Sequence, residues 1–238
     1  MPDSFQFARP ILHRFDPETA HELTLRALEA NLVPPQPEVV EASLSTTLFG
    51  RRIAHPVGLA AGFDKNGRVF RRMYAQGFSF VEIGGVTPRP QVGNPRPRVH
   101  RLPEDGAVIN RMGFPNEGAD IVAGRVARMP SPGPLGVNLA SNADAVDPAV
   151  DFVALVRRFA PLCDYLTLDI SCPNTENGQV FLDPGALRDL LARLSELPFT
   201  DKRPTLVAKL SPDIDDARLE ALIDVMLRGG VAGLVISN

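Results

Sequence analysis

Two stretches, DYLTLDI at residues 164–170 and TLVAKL at residues 205–210, decide how this chain is read. In the first, Leu166, Leu168 and Ile170 alternate with Tyr165, Thr167 and Asp169; in the second, Thr205, Val207 and Lys209 oppose Leu206, Ala208 and Leu210. Successive strand side chains point to opposite faces, so each stretch has one apolar face for covering helices and another that ends in Asp169 or Lys209. Polar groups at carboxyl ends of strands suit the mouth of a barrel, where such folds place their chemistry.

Outward from these two, four more strand segments are expected, at residues 56–61, 78–83, 135–139 and 232–237, with helical segments between them. The helix after residue 182 is the clearest. Asp183 and Pro184 suit the cap and first turn, and Leu187, Leu190, Leu191 and Leu194 follow at i, i+3, i+4 and i+7. The next repeats the logic with Leu219, Leu222, Ile223 and Met226 and stops at Gly229 and Gly230. Alternating βα units require parallel strands with crossover helices, which fits a doubly wound sheet or a closed barrel. The polar strand ends favour the barrel.

Residues 1–45 read as a helical prelude and 46–238 as the barrel. The prelude is apolar at Phe5, Ala8, Ile11, Leu12 and Phe15, then at Ala20, Leu23, Ala27 and Leu28 after Asp16-Pro17. It is either a cap on the barrel or a surface that meets lipid or an apolar ligand. Asn238 falls at the end of the sixth expected strand, so about six of eight βα units are present and the chain is expected to be a piece of a longer protein.

The formal net charge of -3, from 25 basic and 28 acidic residues spread along the chain, gives no reason to expect a nucleic-acid partner. Cys163 and Cys172 lack CxxC spacing and a nearby histidine, which argues against a metal site or a disulfide. Nothing in the sequence resembles a signal peptide or a transmembrane run.

Several loops carry chemistry-bearing residues. LAAGFDKNG at 59–67 ends a strand with small residues, which let backbone amides approach a planar or anionic ligand, and adds the cation of Lys65. A stretch of 26 residues from Gly93 to Gly118 is too long for a plain connection, and is either functional or a proline-braced hairpin. SCPNTENG at 171–178 offers a thiol as nucleophile or base and the amide of Asn174, although a cysteine in a turn is commonly only a small packing residue.

Taken in order, LAAGFDKNG, EIGGVTPRPQVGNPRPRVHRLPEDGAVINRMGF, LGVNLASN, DISCPNT, VAKLSPD and VISN resemble the successive signature loops of the dihydroorotate dehydrogenases. The prelude with DPETAHELT is similar to that of the quinone-dependent class, whose amino-terminal helices form a tunnel at the membrane surface. The resemblance implies a (β/α)8 TIM barrel that binds FMN and oxidises dihydroorotate to orotate in pyrimidine (UMP) biosynthesis. A proton leaves carbon 5, a hydride leaves carbon 6, and a quinone takes the electrons. It further implies peripheral contact with the cytoplasmic face of a bacterial-type inner membrane.

By position, Cys172 would be the catalytic base. Lys65, Asn110, Arg111, Met112, Gly113, Phe114, Asp169, Asn174 and Asn238 would surround the substrate. Ala61, Gly62, Phe63, Asp64, Lys65, Gly85, Asn138, Asp169, Lys209 and Ser237 would hold FMN, and His21 and Arg101 match quinone-tunnel positions. Three departures stand out: cysteine in place of the quinone class's serine, Asp169 in place of an asparagine that touches flavin and substrate, and Gly85 in place of a hydroxyl residue. An ionised Asp169 cannot donate a hydrogen bond and would repel an anionic substrate, so either its pKa is raised or the ligand differs. Alternatives are a flavin-dependent paralogue acting on another dihydropyrimidine or cyclic substrate, and an inactive flavin-binding barrel.

Overall fold

The structure, a computed structural model, describes residues 4–37, 41–175, 177–199 and 203–236. Two helices come first, α1 (Ser4–Leu12) and α2 (Pro17–Glu29), then a short hairpin of β1 (Thr46–Leu48) and β2 (Arg51–Ile53). There follow α3 (Phe70–Ala75), β3 (Val81–Val86), a second hairpin of β4 (Val99–Leu102) and β5 (Ala107–Asn110), α4 (Ala119–Arg128) and β6 (Leu135–Leu139). The chain continues through α5 (Pro148–Phe159), β7 (Tyr165–Asp169), α6 (Pro184–Ser195), β8 (Thr205–Leu210), α7 (Asp216–Arg228) and β9 (Gly233–Ile236).

The parallel sheet has the order β3-β6-β7-β8-β9, and Leu59 adds a parallel bridge to Val81 on the outer side of β3. Spatial order therefore follows chain order from residue 59 to β9. A doubly wound sheet reverses at a switch point, so the observed order is that of a barrel wall. Residues 56–61, expected as a full strand, form only this bridge. Leu59 N–H donates to Phe80 O at 3.0 Å, its carbonyl accepts from Glu82 at 2.8 Å and Val57 O accepts from Ser79 at 3.0 Å, but Val57 N–H turns to His55 Nδ1 at 3.3 Å and so leaves the ladder. The sixth strand is present over Gly233–Ile236, while Ser237 and Asn238 lie outside the described residues.

The helices form for the expected reasons. The Asp183 side chain accepts from Ala186 N at 2.8 Å, Pro184 opens α6, and Leu187, Leu190, Leu191 and Leu194 are all buried. In α7 the buried set is Leu222, Val225 and Met226, with Leu219 and Ile223 half-buried, and the left-handed turn comes at Gly230, φ 74°. These leucines pack on Leu166, Leu168 and Ile170, the outward face of β7, in one core that also takes in Leu25 and Leu28 of α2. The long stretch after Gly93 is the β4–β5 hairpin; its return strand delivers Asn110 to the mouth of the sheet.

Arg68 and Arg98 fasten α2 to the barrel. Arg68 donates to both Glu22 and Glu29 at 2.7–3.2 Å, and this contact holds the Glu22 carboxyl down to about 2. A carboxyl depressed on folding stabilises the fold above its unfolded value and loses that contribution as pH falls through the folded one. This latch therefore loosens between pH 4.5 and about 2. Arg68→Ala is expected to cost about 1 kcal/mol and to speed amide hydrogen exchange across α2 while the sheet keeps its protection. Unchanged exchange in α2 would remove Arg68 as a latch.

Candidate functional site

The inner face of the sheet is polar toward its carboxyl end. Asp169 and Lys209 stand side by side in register on β7 and β8, and their charged atoms lie 3.4 Å apart. Burial pushes the Asp169 carboxyl up, and Lys209 opposes that shift. The cation 3.4 Å away balances an ionised Asp169, which removes the repulsion that an unpaired carboxylate would exert on an anionic ligand.

Asn138 of β6, Asp169 and Lys209 floor a cavity of about 300 Å³. Its walls are Ala61, Gly62 and Lys65 from the first loop, Gly85 from β3, Asn110 to Pro115 except Arg111 from the hairpin, and Cys172 and Asn174 from the loop after β7. Pro115 was not among the expected residues. Five of the six loops named by the sequence motifs, all but the terminal VISN, thus meet here.

Local backbone geometry explains how. Gly62 N–H donates to Gly84 O at 2.8 Å and Gly84 N–H to Asp64 O at 3.1 Å, which straps the first loop onto β3. The Asp64 side chain is fully buried and accepts from Arg68 N and Val69 N at 2.8 and 2.7 Å, so its carboxylate fixes the turn that leads into α3. Lys65 donates to Gly62 O, and burial pushes its ammonium down. Phe63 turns away to stack edge-on against His21, ring centroids 5.1 Å apart.

The hairpin's end turns back through Gly113 and Phe114, both with positive φ, 67° and 49°. Phe114 fills the space beside Gly85: a Cβ on Gly85 would lie 2.7 Å from its ring and 3.1 Å from Asn138 Oδ1. That contact is the physical reason a glycine stands there. Asn94, which sequence reasoning missed, donates through Nδ2 to Arg111 O at 2.8 Å and Asn174 O at 3.0 Å and so ties the hairpin to the cysteine loop. Arg111 itself is exposed and donates to Pro97 O at 3.1 Å, outside the 300 Å³ cavity.

Cys172 is 5% exposed, and burial pushes its thiol up to about 11. Gly178 lets the loop after β7 fold back on it, since a Cβ there would collide with Cys172 O. Asn177 holds the far side of that loop through two 3.0 Å bonds to Ala143 O and Ala145 O.

Among the described residues, the buried atoms Asn138 Oδ1 and Asp169 Oδ1 have no hydrogen-bond partner, and both residues line the cavity. Unmatched buried acceptors ask for an occupant with N–H or O–H donors, and a flat ring with N–H edges, as in a flavin or a pyrimidine, meets that demand. The glycines at 62 and 85 keep the walls low enough for such a ring.

A second cavity of about 630 Å³ lies between the prelude and the hairpin, lined by Leu12, Ala20, His21, Leu25, Phe63, Arg101 and Val108 among others. The two cavities share Gly62, Lys65, Asn110, Met112 and Pro115 as a common wall. Among the described residues, no cluster of side chains suits a metal ion and no helix is long and apolar enough to cross a membrane.

A sequence profile for dihydroorotate dehydrogenase matches residues 43–238. The dihydroorotate dehydrogenase (quinone) of Rhodospirillum rubrum is 43% identical over 100% of this chain and 66% of its own length. That of Parvibaculum lavamentivorans is 45% identical over 99% of this chain and 68% of its own length. Two crystal structures of DHODH from Eimeria tenella, one with ferulenol and one ligand-free, match with TM-scores of 0.85 and 0.86 at 35% and 34% identity. Each covers 94% of this chain, and the chain spans 66% and 69% of theirs. The chain thus spans about two thirds of the length of the relatives it matches.

Proposed function

Because the chain belongs to the dihydroorotate dehydrogenase family and shares its (β/α)8 barrel, we propose that the protein oxidises dihydroorotate to orotate through FMN, with a quinone as electron acceptor. The observation that carries this reading is the small cavity, in which a cation, two amides, a thiol and two unmatched buried acceptors converge from separate loops.

In this reading Lys65 pairs with the substrate carboxylate, while Asn110 and Asn174 match the alternating carbonyl and N–H groups of the pyrimidine ring. Cys172 Sγ takes the proton from carbon 5. Bound FMN supplies the hydride acceptor. Ala61, Gly62, Gly85, Asn138 and Lys209 would hold it, and the Lys209 ammonium offsets negative charge that accumulates there on reduction. Asp169, paired with Lys209, presents a carboxyl whose charge is balanced, which favours an anionic substrate over the alternative of a different ligand class.

The larger cavity suits an apolar quinone, and the exposed side chains of Phe7, Ile11 and Leu32, 72%, 60% and 75% accessible, support peripheral contact with a lipid surface beside it. The cytoplasmic face of an inner membrane is the proposed location.

The test uses the full-length protein loaded with FMN. Under anaerobic conditions dihydroorotate should bleach the flavin, and a ubiquinone analogue should restore its absorbance. An unbleached flavin would end the dihydroorotate reading; bleaching without reoxidation by the quinone would confine the error to the acceptor.

A further inference from the structure

The inner face of the sheet holds one more charged group, which none of the roles above uses. Glu82, the second residue of β3, is 7% exposed and points into the barrel, where a lone carboxylate would be costly. It is not alone. Thr167 Oγ1 on β7 donates to its Oε2 at 2.9 Å, and Asn138 Nδ2 on β6 donates to its Oε1 at 3.3 Å. Gly136 stands opposite Glu82 in the ladder and clears space for the ring of Tyr165, since a Cβ on Gly136 would lie 2.2 Å from it. Burial pushes the Glu82 carboxyl up, and the bonds from Thr167 and Asn138 pull it back down.

The bond to Asn138 has a directional consequence. Asn138 offers its NH2 end to Glu82 Oε1, and a carboxylate oxygen, which accepts, holds it that way round. Its carbonyl is then turned the other way, and Asn138 Oδ1 is one of two buried acceptors at the cavity that have no partner among the described residues. We propose that Glu82 is a positioning residue that locks the Asn138 amide with its carbonyl toward the flavin cavity, so that this part of the wall selects a ligand carrying a hydrogen-bond donor. The inference rests on the reading that the cavity holds FMN. It does not depend on which substrate reduces it.

A carboxylate is essential to this arrangement in a way that size and burial are not. In Glu82→Gln the new amide could offer either of its ends, so Asn138 could turn over and present NH2 to the cavity. Asn138→Asp would set a second carboxylate against Glu82. Exchanging the two groups restores the pattern: in the double variant the introduced glutamine donates to the introduced aspartate, whose outer oxygen remains an acceptor facing the cavity.

The experiment measures FMN dissociation by flavin fluorescence, without dihydroorotate, in the full-length wild type, Glu82→Gln, Asn138→Asp and the double variant, with thermal melts of each apoprotein. Glu82→Gln is expected to weaken FMN about tenfold and Asn138→Asp about a hundredfold, magnitudes of one lost and one repulsive buried polar contact. The double variant is expected to return to within about threefold of wild type, allowing for imperfect geometry. If Asn138→Asp fails to fold, recovery from Glu82→Gln to the double variant remains the deciding comparison. A double variant that binds FMN no better than Glu82→Gln overturns the inference, as does a Glu82→Gln protein with wild-type affinity. A wild type that binds FMN and is not bleached by dihydroorotate removes the substrate reading alone; one that binds no FMN removes both.

Discussion

Cys172→Ala in the FMN-loaded full-length protein is expected to slow anaerobic bleaching by dihydroorotate about 10²–10⁴-fold, the usual worth of a positioned general base, while FMN stays bound. The thiol lines the small cavity together with Lys65, Asn110 and Asn174, so on the proposed reading its removal takes away the proton acceptor and leaves the anchors. Burial fixes the sign of the pH dependence. With the thiol pushed up to about 11, the thiolate is scarce at neutrality, and its fraction grows about tenfold for each unit that pH rises below that value. The bleaching rate of wild type should climb accordingly, and that of Cys172→Ala should stay flat. Stopped-flow absorbance at several pH values decides the matter: an alanine variant that bleaches at the wild-type rate would move the base elsewhere.

The largest stability effect is expected at Arg98. Its side chain is 5% exposed and donates to Glu18 at 2.8–3.2 Å, to Val92 O at 2.6 Å and to Asn94 O at 3.0 Å. It therefore joins the first turn of α2 to the root of the β4–β5 hairpin. Alanine would leave two carbonyls and much of the Glu18 charge without a buried partner, at a cost of about 3–5 kcal/mol. Lysine should recover little, because a single ammonium cannot reproduce the guanidinium fork. Urea unfolding of the full-length variants measures the loss. Quinone-driven reoxidation should also fall further than dihydroorotate-driven reduction, since the residue borders the larger cavity. A change below about 1 kcal/mol, the range of an exposed pair, would show that the fork contributes little.

Local patterns made much of this readable from the chain alone. Alternation in residues 164–170 and 205–210 was enough to put Asp169 and Lys209 on one face, and the register of β7 with β8 sets them directly opposite each other. The Asp183-Pro184 start and four leucines specified α6 because cap, first turn and buried stripe all agree. Residues 56–61 read more strongly as a strand than they behave, since apolar composition does not reveal that Val57 N–H is taken by the His55 ring instead of by β3.

Pairings across long separations left no such trace. Arg98 and Glu18 are 80 residues apart, and nothing in either segment names the other. Asn94 looked like one polar residue in a proline-rich loop, although it binds the segments on both sides of the cavity. Glu82 did carry a signal: a charged residue between Val81 and Ile83 in a strand that the helices cover on one side must find partners inside. Which partners, and that one of them was a cavity residue, required the register of three strands. The roles of Ser237 and Asn238 stay with the family resemblance, as both lie outside the described residues.

The strand order of the barrel wall also bears on how the molecule is made. Each βα unit docks on the one just before it, which permits stepwise assembly as the chain leaves the ribosome. The larger cavity is bounded entirely by residues between Leu12 and Pro115, and the smaller one needs Lys209. During vectorial synthesis the chamber beside the prelude can thus take shape long before Cys172 and Lys209 share a site. A nascent chain would pass through a stage with that chamber formed and the smaller cavity still open on the side that Lys209 closes.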